Sequence, residues 1–154
     1  MLEDKLRVLI VEGRFYAEIA DEMLAGAGDA LHAFDAEFDV IGVPGAFELP
    51  AAVAMAHEGA HRPAGIRYDG YVALGCVIRG ETTHYDYVCG ESARGLMDLS
   101  IGKNLAIGYG VLTVEDSDQA WARALRSQGD KGGAAARACM DMIVLRRRLF
   151  GQIR

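Results

Sequence analysis

Tyr71-Val72-Ala73-Leu74-Gly75-Cys76-Val77-Ile78 is an almost unbroken apolar run, closed by Arg79-Gly80 and followed by a helix-compatible stretch from about Tyr85 to Leu99. Eight such residues without polar alternation read as a strand covered on both faces, the habit of parallel sheets. The pattern recurs on either side of this run. Arg7–Val11 precedes a helix with apolar residues at Ala17, Ala20, Met23, Leu24, Ala27 and Leu31. Phe38–Val43, stopped by Pro44-Gly45, precedes a helix from Glu48 to about Glu58, with Pro50 in its first turn, where a missing N–H costs little. A polar connection over 59–69 leads into the central run. Asn104–Val114 gives a fourth strand despite its glycines, and helices follow at Asp118–Arg126 and Gly133–Leu149. Strand and helix alternating four times predict an α/β fold, a three-layer α/β/α sandwich around a four-stranded parallel sheet, as one domain over residues 1–154.

The composition suits that reading. The chain has 154 residues, 51% hydrophobic and 25% charged, enough for one sizeable core. Its 16 Lys and Arg against 22 Asp and Glu give a net charge of −6. Without a basic block, neither nucleic acid nor an anionic membrane is an expected partner. No apolar run approaches the roughly 18 residues of a membrane span. The sequence meets Glu3-Asp4-Lys5 at once, with no signal-peptide core, which gives a cytoplasmic expectation. Cys76, Cys89 and Cys139 are an odd count without Cys-x-x-Cys spacing, which speaks against a disulfide scaffold or a structural zinc. They read as small buried hydrophobes. The 19 glycines are about twice the usual share of roughly 7%. Gly13, Gly45 and Gly80 fall in turns after strands, where bends are expected to bring amides to a ligand, and Gly132-Gly133 reads as a hinge.

Ligands of open parallel sheets sit beyond the carboxyl ends of the strands. Here those ends lead into Gly13–Tyr16, Pro44–Glu48, Arg79–His84 and the region after Val114. No Gly-x-Gly-x-x-Gly follows the first strand, and Glu81 stands where a phosphate loop beginning at Gly75 needs lysine. Gly90–Gly95 lacks the serine-hydrolase elbow. In Gly80-Glu81-Thr82-Thr83-His84, free amides at a helix start form an anion site independent of net charge. Thr83-x-x-Asp86 reads as a capping box. His84 enters the first turn with an imidazole, a group suited to proton relay near neutral pH. Spacing alone favours a capping loop with a surface histidine.

In Val43-Pro-Gly-Ala-Phe-Glu-Leu-Pro50, Phe47 and Glu48 serve equally as a helix start or as a ring and carboxylate facing a planar, hydroxylated ligand. Arg123, Lys131 and Arg146–Arg148 read by position as solvated or dipole-matched cations. His32, His57 and His61 read as solvated, and Trp121 and Tyr109 as packing aromatics unless a subunit boundary exposes them.

Gly13-Arg14-Phe15, Val43–Pro50, the block Gly75–Val88, Leu112–Glu115 with Asp118-Gln119-Ala120, and Lys131-Gly132 together resemble the lumazine synthase family of riboflavin biosynthesis. The resemblance spans nearly the whole chain in family order and reverses the bland reading of His84. It implies a flavodoxin-like fold and a transferase. Such an enzyme joins 5-amino-6-(D-ribitylamino)uracil to 3,4-dihydroxy-2-butanone 4-phosphate, releasing phosphate and water without a cofactor. By resemblance, Phe15 stacks on the pyrimidine. Ala46, Phe47 and Glu48 hold the ribityl chain and ring edge, and the main chain of Cys76, Val77 and Ile78 reads the uracil. Glu81, Thr82 and Arg123 take the butanone phosphate, and His84 is the general acid/base. Tyr109 closes the pocket from a neighbouring subunit, and Lys131 lies close by.

Three departures stand out. Tyr16 replaces a frequent Asn, Tyr109 replaces a usual Phe, and Leu125–Asp130 lacks the Gly-x-Lys-x-Gly-Asn of 60-subunit shells. The expected assembly is therefore a homopentamer, with a stacked decamer admissible and a shell disfavoured. The competing readings are a flavin- or lumazine-binding paralogue without turnover, and a signalling or electron-transfer module. Glu12–Phe15 lacks the acidic cluster or Ser/Thr phosphate loop that the module would need.

Overall fold

Each strand is followed by a helix that carries the chain back along the sheet, so every strand runs the same way. The computed structural model describes residues 4–153. In chain order the elements are β1 (Arg7–Gly13), α1 (Ala17–Ala33), β2 (Glu37–Val43), a single 3₁₀ turn at Ala46–Glu48, α2 (Leu49–Gly59), β3 (Gly70–Ile78), α3 (His84–Lys103), β4 (Ile107–Val114), α4 (Ser117–Ala124) and α5 (Lys131–Leu149). The sheet order is β2-β1-β3-β4, all parallel, with Val8 opposite Gly70 and Tyr71 opposite Ile107. This is the three-layer sandwich that the alternation predicts, flavodoxin-like as the resemblance implies.

The order explains the composition of the strands. β1 and β3 are central and buried through Val8–Val11 and Tyr71–Leu74, whereas edge strand β2 leaves Phe38, Val40 and Ile41 exposed. Each fully buried Val, Leu or Ile contributes about 1.5–3 kcal/mol, so these two strands anchor the fold.

The helices divide between the faces. Val8, Ile10, Val72 and Leu74 face α1, α4 and α5, while Leu9, Val11, Tyr71 and Ala73 face the 3₁₀ turn, α2 and α3. The first face is closed tightly. A Cβ on Gly108 would overlap the Ala135 carbonyl, and one on Gly132 would run into the main chain at Met23. The second face is thinly covered. Of the 20 residues of α3, only Val88, Ser92 and Leu96 are buried, at successive i,i+4 positions, and Tyr87, Met97 and Ile101 stand exposed.

Several boundaries and roles differ from expectation. α3 runs past Leu99 to Lys103, and β4 begins three residues late because Asn104 adopts a left-handed conformation (φ 53°) that ends the helix. Gly132 and Gly133 are no hinge. They lie in the buried first turn of α5, and the left-handed residue before it is Asp130, whose carboxylate accepts from the Gly133 N–H at 3.3 Å. Among the described residues the single glycine at positive φ is Gly151. The turn glycines thus do not serve by conformational freedom. Gly13 serves by close approach, since a Cβ there would lie 2.8 Å from the Gly45 carbonyl carbon. Gly80 has nothing within 4 Å of such a Cβ, so neither account applies to it.

Candidate active site

Parallel strands deliver their carboxyl ends to one rim, and there the ends of β1, β2 and β3 surround a cavity of about 320 Å³. Phe15 enters from the turn after β1. Ala46, Phe47 and Glu48 come from the 3₁₀ turn after β2, and Cys76, Val77 and Ile78 form the end of β3. His84, first residue of α3, completes the wall.

Residues distant in sequence are held here by identifiable contacts. Glu12, only 5% exposed at the end of β1, accepts two hydrogen bonds from Arg14 Nη1 at 3.1 and 3.2 Å. The same guanidinium bonds the Asp21 carboxylate and the Ala17 carbonyl oxygen, so the turn carrying Phe15 is clamped to both strand and helix. The Phe15 ring is left 74% exposed, edge-on to Tyr16 at 4.9 Å. Phe47 is 55% exposed, so it is not the buried staple that a plain helix start would need. Two aromatic faces are thus offered to the cavity.

The loop between β3 and α3 is fixed by Arg79. Its Nε donates to Glu115 at 2.8 Å, its Nη1 lies 3.6 Å from Asp86, and its guanidinium sits 4.3 Å over the Tyr85 ring. Asp86 is engaged there, and Thr83 makes no side-chain cap, so the capping box does not form. The Thr82 hydroxyl instead accepts from the His84 N–H at 3.3 Å. The amides of Gly80, Glu81, Thr82 and Thr83, just before a 20-residue helix, have no main-chain acceptor among the described residues. Glu81 and Thr82 are exposed in this loop and line neither cavity of the rim.

Tyr109, Arg123 and Lys131 are not brought to His84. They line a second cavity of about 200 Å³ with the β4 residues Gly110–Thr113. Arg123 Nη1 donates to the Gln119 carbonyl at 3.0 Å, and neither Arg123 nor Lys131 has a carboxylate partner among the described residues. Tyr109 is 45% exposed, unlike Trp121, which packs against the core as expected. Burial pushes the Cys76 thiol up to about 11 and the Cys139 thiol up to about 12, so both stay protonated at neutral pH. Among the described residues no His, Cys, Asp and Glu cluster could hold a metal, and no helix is long and apolar enough to cross a membrane.

Sequence reasoning missed two things here. Glu12 and Asp21 straddle a strand end and a helix, and no short motif joins them. His57 is partly buried rather than solvated, with its ring 5.2 Å from that of His61.

The fold is a flavodoxin-like α/β sandwich with an open cavity at the carboxyl ends of its strands. The profile of the 6,7-dimethyl-8-ribityllumazine synthase family matches residues 5–147. The chain is 59% identical over 144 residues to 6,7-dimethyl-8-ribityllumazine synthase 1 of Rhizobium meliloti (strain 1021), covering 94% of each chain. It is 57% identical over 147 residues to the 6,7-dimethyl-8-ribityllumazine synthase of Agrobacterium fabrum, covering 96% of this chain and 99% of the relative. Bartonella henselae has a similar protein of the same name, 54% identical over 149 residues, 97% of this chain and 93% of that one. The chain belongs to the 6,7-dimethyl-8-ribityllumazine synthase family.

Proposed function

We propose that this chain condenses 5-amino-6-(D-ribitylamino)uracil with 3,4-dihydroxy-2-butanone 4-phosphate, making 6,7-dimethyl-8-ribityllumazine with release of phosphate and water. The observation that carries the reading is the single cavity shared by two exposed aromatic rings, a free strand end, Glu48 and His84. Phe15 and Phe47 offer faces to a heteroaromatic ring. The main chain of Cys76–Ile78 offers donors and acceptors to a uracil edge, and Glu48 accepts from ribityl hydroxyls. The substrate amine attacks the ketone and expels a first water to give an imine, phosphate departs by elimination, and ring closure expels a second water. His84 moves the protons of these steps. The free amides after Gly80, with Glu81 and Thr82, flank the butanone phosphate, and Arg123 neutralises it as it leaves. Holding two substrates side by side supplies much of the remaining acceleration.

Arg123, Tyr109 and Lys131 lie in a separate cavity of the same protomer, and we assign them to the neighbouring subunit's site. The working unit is then a ring, a homopentamer with decamers as stacked rings, acting in the cytoplasm on small-molecule substrates. The exposed apolar residues of β2, α2 and α3 supply surface for such contacts.

Mixing both substrates with protein and following lumazine absorbance tests the activity. Product at the spontaneous rate would refute it and leave a binding paralogue on the same scaffold. A complementation experiment tests the shared site. His84→Ala and Arg123→Gln subunits are each inactive alone, but reassembled together they regain about a quarter of wild-type activity, because a head-to-tail ring makes some sites from two intact halves. No recovery in verified mixed oligomers would mean that each site lies within one subunit. Light scattering that gives a shell-sized particle would overturn the pentamer.

A further inference from the structure

At the end of the sheet remote from His84 lies a cavity of about 550 Å³, larger than either cavity of the catalytic rim. Its walls are the last turns of α2, α3 and α5 and the segment leading into β3. Tyr71 on this wall and Ile78 on the other are seven residues apart along one strand, roughly 23 Å. No step of the proposed reaction uses this cavity.

Its charge is unbalanced. Arg67, Lys103, Arg146 and Arg147 line it, and Asp69 is the only carboxylate among its lining residues. Asp69 is already committed, accepting from the Arg7 N–H at 2.9 Å and facing Arg147 at 3.4 Å. Arg146 donates to the carbonyls of Asn104 and Asp69 at 2.8 and 2.6 Å. Arg67, Lys103 and Arg146 have no carboxylate partner among the described residues. Three helix carboxyl ends meet here, each worth at most about half a negative charge, which offsets only about half of the cationic excess. The half-buried His57 is held below its ordinary pKa by burial and, after that, by His61 and Lys103, in keeping with a positive interior.

A second observation is independent of charge. Tyr71 is 1% exposed and lines the cavity, yet its hydroxyl has no hydrogen-bond partner among the described residues. A buried hydroxyl left unpaired is unfavourable, and a bound acceptor would satisfy it.

We propose that this cavity is a second ligand site, for a phosphorylated small molecule. Its phosphate sits among Arg67, Lys103 and Arg146 and accepts from the Tyr71 hydroxyl, and its organic part lies against His57 and Tyr68. The volume exceeds what inorganic phosphate needs and leaves room for the organic part.

Pyrophosphate is a suitable probe, titrated calorimetrically into the assembled full-length protein in a phosphate-free buffer. Arg123→Gln serves as background to weaken anion binding at the catalytic rim, and dependence on Lys103 and Arg67 assigns the binding that remains. That variant is expected to keep one pyrophosphate site per subunit. Adding Lys103→Ala or Arg67→Ala weakens binding about tenfold each, the effect of losing one charged contact. Tyr71→Phe weakens it severalfold. Circular dichroism verifies that each variant is folded, and Arg67 and Lys103 are exposed, so their truncation removes no core packing. Absence of binding in the Arg123→Gln background, or affinity indifferent to Lys103 and Arg67, would overturn the proposal. A neighbouring subunit seated over the cavity would appear as the first of these. The readout is binding alone, so its failure is distinct from failure of the proposed condensation.

Discussion

The two faces of the sheet are built to different standards. On one, α1, α4 and α5 lie so close that glycine is needed at Gly108 and Gly132 to let main chain meet main chain. On the other, α3 buries three of its 20 residues and leaves Tyr87, Met97 and Ile101 exposed. The first face is finished within the protomer, while the second presents apolar surface outward and carries His84 at its rim. Close main-chain packing is concentrated on one side of the sheet, and His84 belongs to the other.

Substitutions chosen from each side test that division. The largest expected effect is on the open side. His84→Ala lowers kcat by about 10²–10⁴, which is about 3–5 kcal/mol of barrier, and leaves the denaturation midpoint unchanged because the residue is exposed. A variant that kept its rate but lost stability would reverse the assignment. On the closed side Gly108→Ala is expected to cost about 1–3 kcal/mol or more, read from urea unfolding, since the Ala135 carbonyl must move. An unchanged midpoint there would mean that α5 is not seated as described. Gly90→Ala and Gly102→Ala, on α3 with nothing within 4 Å of the added methyl, are instead expected to stabilise by about 0.5–1 kcal/mol. Destabilisation at both would show that a neighbouring subunit occupies that side.

The smallest effect concerns the thiols. Cys139 on the closed face and Cys76 at the rim, pushed up by burial to about 12 and about 11, remain essentially protonated at pH 8. Both are expected to resist alkylation in the native protein while reacting on unfolding. As pH rises above 9 the unfolded thiols ionise first, so this contribution to stability falls and is gone beyond the folded values. Rapid native labelling of Cys139 before Cys76 would contradict the closed face.

Much of this was legible in the sequence. Tyr71–Ile78 reads as a covered strand because both of its faces are covered, and the turns named after the first three strands supply residues of the cavity beside His84. Local patterns failed where a partner lay elsewhere in the chain. Asp86 pairs with Arg79 rather than capping Thr83, and of the turn glycines Gly13 serves close packing while none uses positive φ. The clamp of Glu12, Arg14 and Asp21 joins a strand end to a helix face, and the cationic cavity draws on four separate segments. Neither leaves a spacing to find, because only the topology assembles them. The separation of Arg123 from His84 likewise becomes visible only when the cavities are formed.

The direction of the strands also bears on how the protein can be extended. β1 begins and α5 ends at the same rim, where Arg146 reaches the carbonyls of Asn104 and Asp69. A peptide or cargo domain joined at either terminus therefore projects away from the catalytic rim. Such fusions should turn over at the parent rate, whereas a bulky group attached after α5 would crowd the mouth of the cationic cavity. The fold thus comes with a handle at one end and its chemistry at the other.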